Sequence, residues 1–328
     1  MKNSIIKIVT ALGLSCALSS GVQAATEVMI AYGNQSGEPI DKAMHFWADK
    51  VKDKSQGEIV FRLFPSSQLG SETEVLEQAK FGANIITISS YGYLMDTIPD
   101  FGVINAPYLT QSFKKKSQLL HTEWFNGLAN QLENKGLKIV VPDVVYGTRH
   151  LLSKNKVTTP ADLNGVKIRV QHSRVAISTV TAMGAVPTPM SLADVYPGIA
   201  QGVISGVENP PAVLYGGKFY EVAKNLNLTS HSKHMSPFVA GTSFWNKLTD
   251  QEREIIISTS QEMVAYGAKL VEASDQEMIE QLKKEGVTVN KVDIAAFEAA
   301  ARQQVPKDFS EWTPNLYLDT QAKLAEMK

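Results

Sequence analysis

Glu27-Val-Met-Ile-Ala-Tyr32, the segment Pro39 to Lys54, Glu58-Ile-Val-Phe-Arg-Leu-Phe64, the segment Ser71 to Phe81 and Asn84-Ile-Ile-Thr-Ile-Ser89 follow one another along the chain. In the second of these Ile40, Ala43, Met44, Trp47 and Val51 recur at helical spacing, which predicts an amphipathic helix that Gln56-Gly57 ends. The runs on either side are apolar and β-rich, and Pro65-Ser66-Ser67 marks the exit of the second. Ser71 stands three residues before Glu74, the spacing of a capping box, and opens another helix. Strand, helix, strand, helix, strand with apolar strands is the order of a parallel sheet covered by helices, so the fold class is α/β.

The same alternation returns downstream. Ser117 to Asn134 reads as helical, Leu137-Lys-Ile-Val-Val141 and Val166 to Gln171 as strands, and Val175 to Met183 as a helix. Val186-Pro-Thr-Pro189 is extended, Ser191 opens a helix that ends near Gly202, and Ser205-Gly-Val-Glu208 is a short strand. Thr249, three residues before Glu252, caps a long helix in which Ile255, Ile256, Met263, Leu270 and Met278 mark one side. Two α/β units tied by a long C-terminal helix fit the length, which suits two domains.

The first residues carry Lys2 and Lys7, a short apolar run and the small-residue exit Val22-Gln23-Ala24, the make-up of a secretory leader cleaved after Ala24. Cys16 falls inside this segment, so the mature chain is expected to hold no cysteine and to rely on its core alone. Without Lys2 and Lys7 the chain has 30 basic against 33 acidic side chains, which gives no basic footprint for nucleic acid. Lys114-Lys115-Lys116 is the one local exception and reads as a solvated helical face. The expected product is exported and soluble.

Gly165-Val-Lys-Ile-Arg-Val-Gln171 supplies the first functional signal. Val166, Ile168 and Val170 repeat with period two, so Arg169 is expected on the opposite face, aimed away from the core. A guanidinium matches a carboxylate bidentately, which points to an organic acid as ligand, while an edge or surface arginine is the bland alternative. Arg149, after the glycine turn of Tyr146-Gly-Thr-Arg-His150, is either a second contact or a solvated loop charge. Pro210 disfavours the helical region for Asn209 and holds it extended. Ligands settle at the carboxyl ends of strands in open sheets, and Arg149, Ser89, Ser90, Gln171 and Asn209 all follow such ends. Asn34, in the turn after the first strand, joins them as a candidate.

No catalytic constellation accompanies these residues. The serine of Gly202-Val-Ile-Ser205-Gly206 is one place too late for a nucleophile elbow, and no phosphate-cradling glycine loop occurs. His231 and His234 lack nearby acidic or thiol partners at ligand spacing and read as surface or core-edge residues, and Phe219 and Tyr220 as core. Glu72 and Glu74 lie in the first turn of a helix, where negative charge complements the dipole.

Pro65-Ser-Ser-Gln-Leu-Gly70, Gly147-Thr-Arg149, Asp162-Leu-Asn-Gly-Val-Lys-Ile-Arg-Val170, Gly184-Ala-Val-Pro-Thr-Pro-Met190, Asp194-Val-Tyr196, Glu208-Asn-Pro210 and Lys218-Phe-Tyr-Glu-Val222 occur in this order. In them the chain resembles the DctP-like solute-binding proteins of TRAP transporters, the tripartite ATP-independent periplasmic uptake systems. The resemblance implies a two-lobed fold with a hinge and a long helix across both lobes, closing on ligand. It implies that Arg169 pairs with the ligand carboxylate and that Arg149 and Asn209 line the cleft. Gln171, Ser89, Ser90, Asn34, Glu72 and Leu192 complete the expected contacts, with Leu192 in place of a frequent phenylalanine widening the pocket floor. A glutamate expected near the third strand in sialic acid binders is replaced in the Ser89-Ser90 region, and His172 is a further donor.

The expected lobes are residues 25–147 with 235–274, and 148–234 with 275–328. The expected ligand is a sugar acid, such as a uronate or aldonate, or a C4-dicarboxylate. The expected partners are the integral membrane subunits of the transporter, with a monomeric receptor, no catalysis, no cofactor, no metal and no nucleic acid. An exported hydrolase or lyase on a two-domain α/β scaffold is the alternative.

Overall fold

The computed structural model describes residues 25–327, so the leader read over residues 1–24 lies outside the described residues. The first part of the chain runs β1 (Thr26–Ala31), α1 (Pro39–Lys54), β2 (Ile59–Phe64), α2 (Glu72–Lys80), β3 (Ile85–Ile88) and α3 (Tyr91–Leu94). After a 3-10 turn at Pro99–Asn105 come α4 (Phe113–Leu119), α5 (Glu123–Glu133) and the long strand β4 (Leu137–Ser153). A second alternation holds β5 (Lys167–Val170), α6 (Arg174–Ala182), β6 (Val186–Pro189), α7 (Val195–Ala200), β7 (Gly206–Asn209) and α8 (Pro211–Gly216). The chain ends in β8 (Asn225–Gly241), α9 (Thr242–Trp245), α10 (Asp250–Lys284), β9 (Thr288–Asn290), α11 (Ile294–Asp308) and α12 (Leu316–Glu326).

Local chemistry sets these elements. Pro39 occupies the first turn of α1, where its fixed φ suits a helix, and Ile40, Ala43, Met44, Trp47 and Val51 are buried as the periodicity requires. Both capping boxes form: the Glu74 carboxylate accepts from Ser71 N at 2.8 Å, and Glu252 accepts from Thr249 N at 2.7 Å. The single helix expected from Ser117 to Asn134 is instead α4 and α5, because the Thr122 side chain accepts from Phe125 N and restarts the helix. Lys116 is the only lysine of its run that is buried, with 1% of its surface exposed and Nζ donating to Lys233 O at 2.7 Å. Burial pushes its pKa down to about 7, so the triple-lysine run is not a uniformly solvated face.

The strands form one nine-stranded sheet in the order β2-β1-β3-β8-β4-β7-β5-β6, with β9 beside β8. Parallel pairing holds only within β2-β1-β3 and β7-β5-β6, with β9 also parallel to β8. The parallel sheet expected from the first alternation is present in β2-β1-β3, and β4 and β8 join it as antiparallel partners to the second parallel set, so the whole sheet is mixed. Each is 17 residues long and runs from one set to the other, so these strands tie two lobes together. Their ladder slips at four places between Ile139 and Leu151, bending the ribbon where the lobes meet.

A core under α1 and α10 centres on Trp47, which meets Phe61 edge-on at 5.0 Å and donates from Nε1 to Thr259 Oγ1 at 3.1 Å. A second core gathers Leu152, Val195, Val207, Leu214 and Leu226 around α7 and α8. The 35-residue α10 packs on α1, β4 and α8, and so spans both lobes. Its buried side is Ile255, Ile256 and Met263 as expected, whereas Val271 and Leu282 replace Leu270 and Met278 further along.

Two residues fix how closely the lobes meet. Gly147 has φ +133°, and a Cβ there would lie 2.8 Å from Pro210 Cβ, so only glycine fits. Glu38 precedes α1 at the N-cap position without a side-chain capping bond, and its Oε1 would sit 2.2 Å from a Cβ on Gly216 of α8. Burial pushes the Glu38 pKa up to about 7, although hydrogen bonds from Asn34 and Gln35 oppose the rise.

Gly147→Ala should destabilise the protein by about 1–3 kcal/mol through strain and the Pro210 clash, and thermal unfolding with an unchanged midpoint would contradict this. Glu38 links stability to pH. The folded state keeps a proton that the unfolded state releases between pH 4.5 and about 7, so its contribution to stability falls across that window and is flat above it. Urea unfolding should show Glu38→Gln gaining on the parent protein as pH rises from 5 to 7, by up to about 1.4 kcal/mol per pH unit. A difference constant with pH would refute the assignment.

Candidate ligand-binding site

Ile168 and Val170 point into the core from β5, and Arg169 points to the opposite face as the alternation requires. That face is not solvent. It is covered by the other lobe, leaving Arg169 only 4% exposed, so the edge or surface alternative does not hold. Its Nε donates to Met190 O at 2.8 Å, so the exit of β6 holds the guanidinium plane. Among the described residues it has no carboxylate partner. Burial lowers its pKa, and the more distant Tyr93, Glu72 and Glu208 offset this only in part.

Arg149 has the opposite circumstance. It lies inside β4, not in a loop, and its guanidinium grips Glu208 of β7 through Nε to Oε2 and through Nη2 to Oε1 at 2.7 Å. Nη2 also donates to Glu208 O at 2.9 Å. His231 Nε2 lies 3.0 Å from the same carboxylate, and its Nδ1 lies 2.8 Å from Thr229 Oγ1. Burial alone would raise the Glu208 pKa, but Arg149 and His231 hold it well below the usual carboxylate range. Arg149 is therefore neutralised within the protein, and Arg169 is not.

These two arginines share one cavity with Glu72, Ser89, Ser90, Gln171, Leu192 and Asn209, which are eight of the nine residues named from the sequence. Asn34 stands behind the wall, where its Nδ2 donates to Glu38 Oε2 at 2.7 Å and to Tyr146 Oη at 3.2 Å. Ser90 is occupied structurally: its Oγ donates to Asn105 Oδ1 and accepts from Gly92 N and Gln171 Nε2. The last of these bonds joins the lobes. By contrast Ser89 Oγ is buried without a protein partner. Asn209, held in β7 opposite His150, is 2% exposed and has no side-chain bond to another described residue.

Tyr146, His234 and Ser236 also line the cavity and were missed in the sequence. Ser232, His234 and Ser236 repeat with period two along β8, so their signal in the sequence is a polar alternation rather than an apolar one. His234 is buried at 5% exposure and is not a surface residue. Burial, then Arg149 and Lys116, hold its pKa well below normal, so the ring is neutral near pH 7. His172 is exposed and offers the cavity no side chain. Among the described residues no three His, Cys, Asp or Glu side chains converge as a metal site needs. The arrangement offers one uncompensated cation, a carboxylate, and several neutral hydrogen-bonding groups in an enclosed cleft, which suits holding a polar anion.

The chain matches the family described as bacterial extracellular solute-binding protein, family 7, over residues 30–311. A sialic acid-binding periplasmic protein of Vibrio cholerae serotype O1 is 28% identical over 324 residues, 99% of each chain. A TRAP periplasmic solute-binding protein of Actinobacillus succinogenes 130z, crystallised with bound L-galactonate, is 66% identical with a TM-score of 0.91, covering 92% of this chain and 100% of that one. Another from Ochrobacterium anthropi, with bound L-fuconate, is 42% identical with a TM-score of 0.90 and the same coverage. The chain belongs to this family and is a solute-binding receptor of the TRAP type.

Proposed function

We propose that this receptor captures an aldonate-type sugar acid and that Arg169 clamps its carboxylate. The observation that carries the reading is a buried guanidinium left without a protein carboxylate, in the same cavity as a second arginine that has one. A buried charge is costly unless paired, and a carboxylate meets the fork bidentately. The hydroxyls of a hexonate suit the neutral groups around it, with Ser89 and Asn209 free to bond them. L-galactonate and L-fuconate, found in the two similar structures, differ only at C6 and are the first candidates.

The same reading has the protein act from the periplasm after losing its leader, as a monomer that catalyses nothing and delivers ligand to integral membrane subunits. Its lobes are residues 25–147 with 235–274 and 148–234 with 275–328. The pairing of Gly147 with His234 in the β4–β8 ribbon supports that division.

Calorimetry across L-galactonate, L-fuconate, D-galacturonate, sialic acid and succinate tests the ligand, with the two aldonates expected to bind most tightly. Arg169→Ala should weaken aldonate binding at least a hundredfold, roughly 2.7 kcal/mol, while the protein stays folded. Arg169→Lys should recover only a small part of this, because an ammonium lacks the planar fork. A folded Arg169→Ala variant with unchanged affinity would overturn the clamp. Recovery of the aldonate intact after long incubation is expected, and its consumption would favour the hydrolase or lyase reading.

A further inference from the structure

We infer that Glu72 makes this site selective for monocarboxylates and turns away sugar diacids and C4-dicarboxylates. The inference rests on the sugar-acid reading above and deepens it. Glu72 is the first residue of α2, fixed there by the Ser71–Glu74 capping box, and its side chain lines the cavity that holds Arg169. It forms no ion pair with any described residue, and Tyr93, whose hydroxyl burial keeps neutral, is among its neighbours. Tyr93 is 8% exposed and uncharged, so it supplies no cation to offset the Glu72 carboxylate.

The charges facing the cavity then decide which ligands fit. Glu208 cancels Arg149, and the His234 ring is neutral near pH 7, which leaves Arg169 and Glu72 as the two uncompensated charges, of opposite sign. A monocarboxylate satisfies Arg169 and presents hydroxyl donors that Glu72 accepts. A diacid satisfies Arg169 as well, but its second carboxylate enters an enclosed site that has no second free cation among the described residues and does have a carboxylate. Like charges desolvated together are strongly unfavourable, and building such an unpaired charge against a competitor is an efficient way to discriminate. A hydroxyl replaced by a carboxylate also removes a ligand donor that the Glu72 oxygens would accept from.

Galactarate tests this directly, because it is L-galactonate with C6 raised to a carboxylate. Titrations at pH 7.5 should show the parent protein binding L-galactonate at least a hundredfold more tightly than galactarate or succinate. Glu72→Gln, which keeps the shape and removes the charge, should weaken L-galactonate and strengthen galactarate, narrowing their ratio at least tenfold. Glu72→Asp, which keeps the charge, should retain the preference for the monoacid, and the unfolding midpoints of both variants verify that they are folded. A parent protein that binds galactarate as well as L-galactonate, or a folded Glu72→Gln variant with an unchanged ratio, would overturn the inference and leave the sugar-acid reading standing. A parent protein that binds no aldonate at all would overturn both.

Discussion

Burying a guanidinium without giving it a carboxylate is the constraint on which the rest of this molecule turns. The desolvation cost of an ion in a protein interior is several kcal/mol even after relaxation. Arg149 meets that cost internally, through two bonds to Glu208 and a third to its backbone, with His231 on the far side. Arg169 meets it only through one backbone carbonyl. Under the proposed clamp, closing the cleft over Arg169 is favoured when a carboxylate comes in with it, and such a difference between ligand-bound and ligand-free closure would let a ligand shift a conformational equilibrium.

The long strands explain how the two arginines come to share a cavity from different parts of the sheet. β4 and β8 carry both lobes, so residues near the middle of that ribbon lie at the seam whatever lobe they are assigned to. Arg149, Tyr146, His234 and Ser236 are ribbon residues; Arg169 and Asn209 come from the second parallel set, and Ser89 from just past the end of β3. Gly147 lets Pro210 approach closely enough for β7 to deliver Glu208 to Arg149. The motif glycine and the motif proline are thus two sides of one contact.

Much of this could be read in the sequence, and the failures have a common cause. Helices α1, α2 and α10 announced themselves through apolar spacing and capping boxes, because each packs one face on a core and the other on water. β8 did not, since 13 of its 17 residues are buried, none is fully exposed, and one of its faces is a polar cleft. An apolar-alternation test looks for a strand with a wet side, and β8 has none. The same reasoning explains Arg169: period two correctly put it opposite Ile168 and Val170, but strand periodicity says nothing about what a second lobe covers. Lys116 failed for a similar reason, as tertiary packing buried one lysine of three.

Charge in the cleft is distributed so that neither sign dominates, and this bears on recognition more than on stability. A site with two free arginines would attract any dianion; cancelling Arg149 with Glu208 removes that tendency while keeping the arginine as a rigid wall. Tyr146, beside Arg149 and hydrogen-bonded to Asn34, extends the wall toward the first lobe, and its edge-on contact with His234 at 5.6 Å fixes the neutral imidazole. Neutral hydroxyl, amide and imidazole groups then make up most of the remaining polar lining, the donor and acceptor mix that a polyol chain can match. Among the described residues, one guanidinium is the only cation facing the cleft without a protein carboxylate, and the rest of the polar lining is mostly neutral.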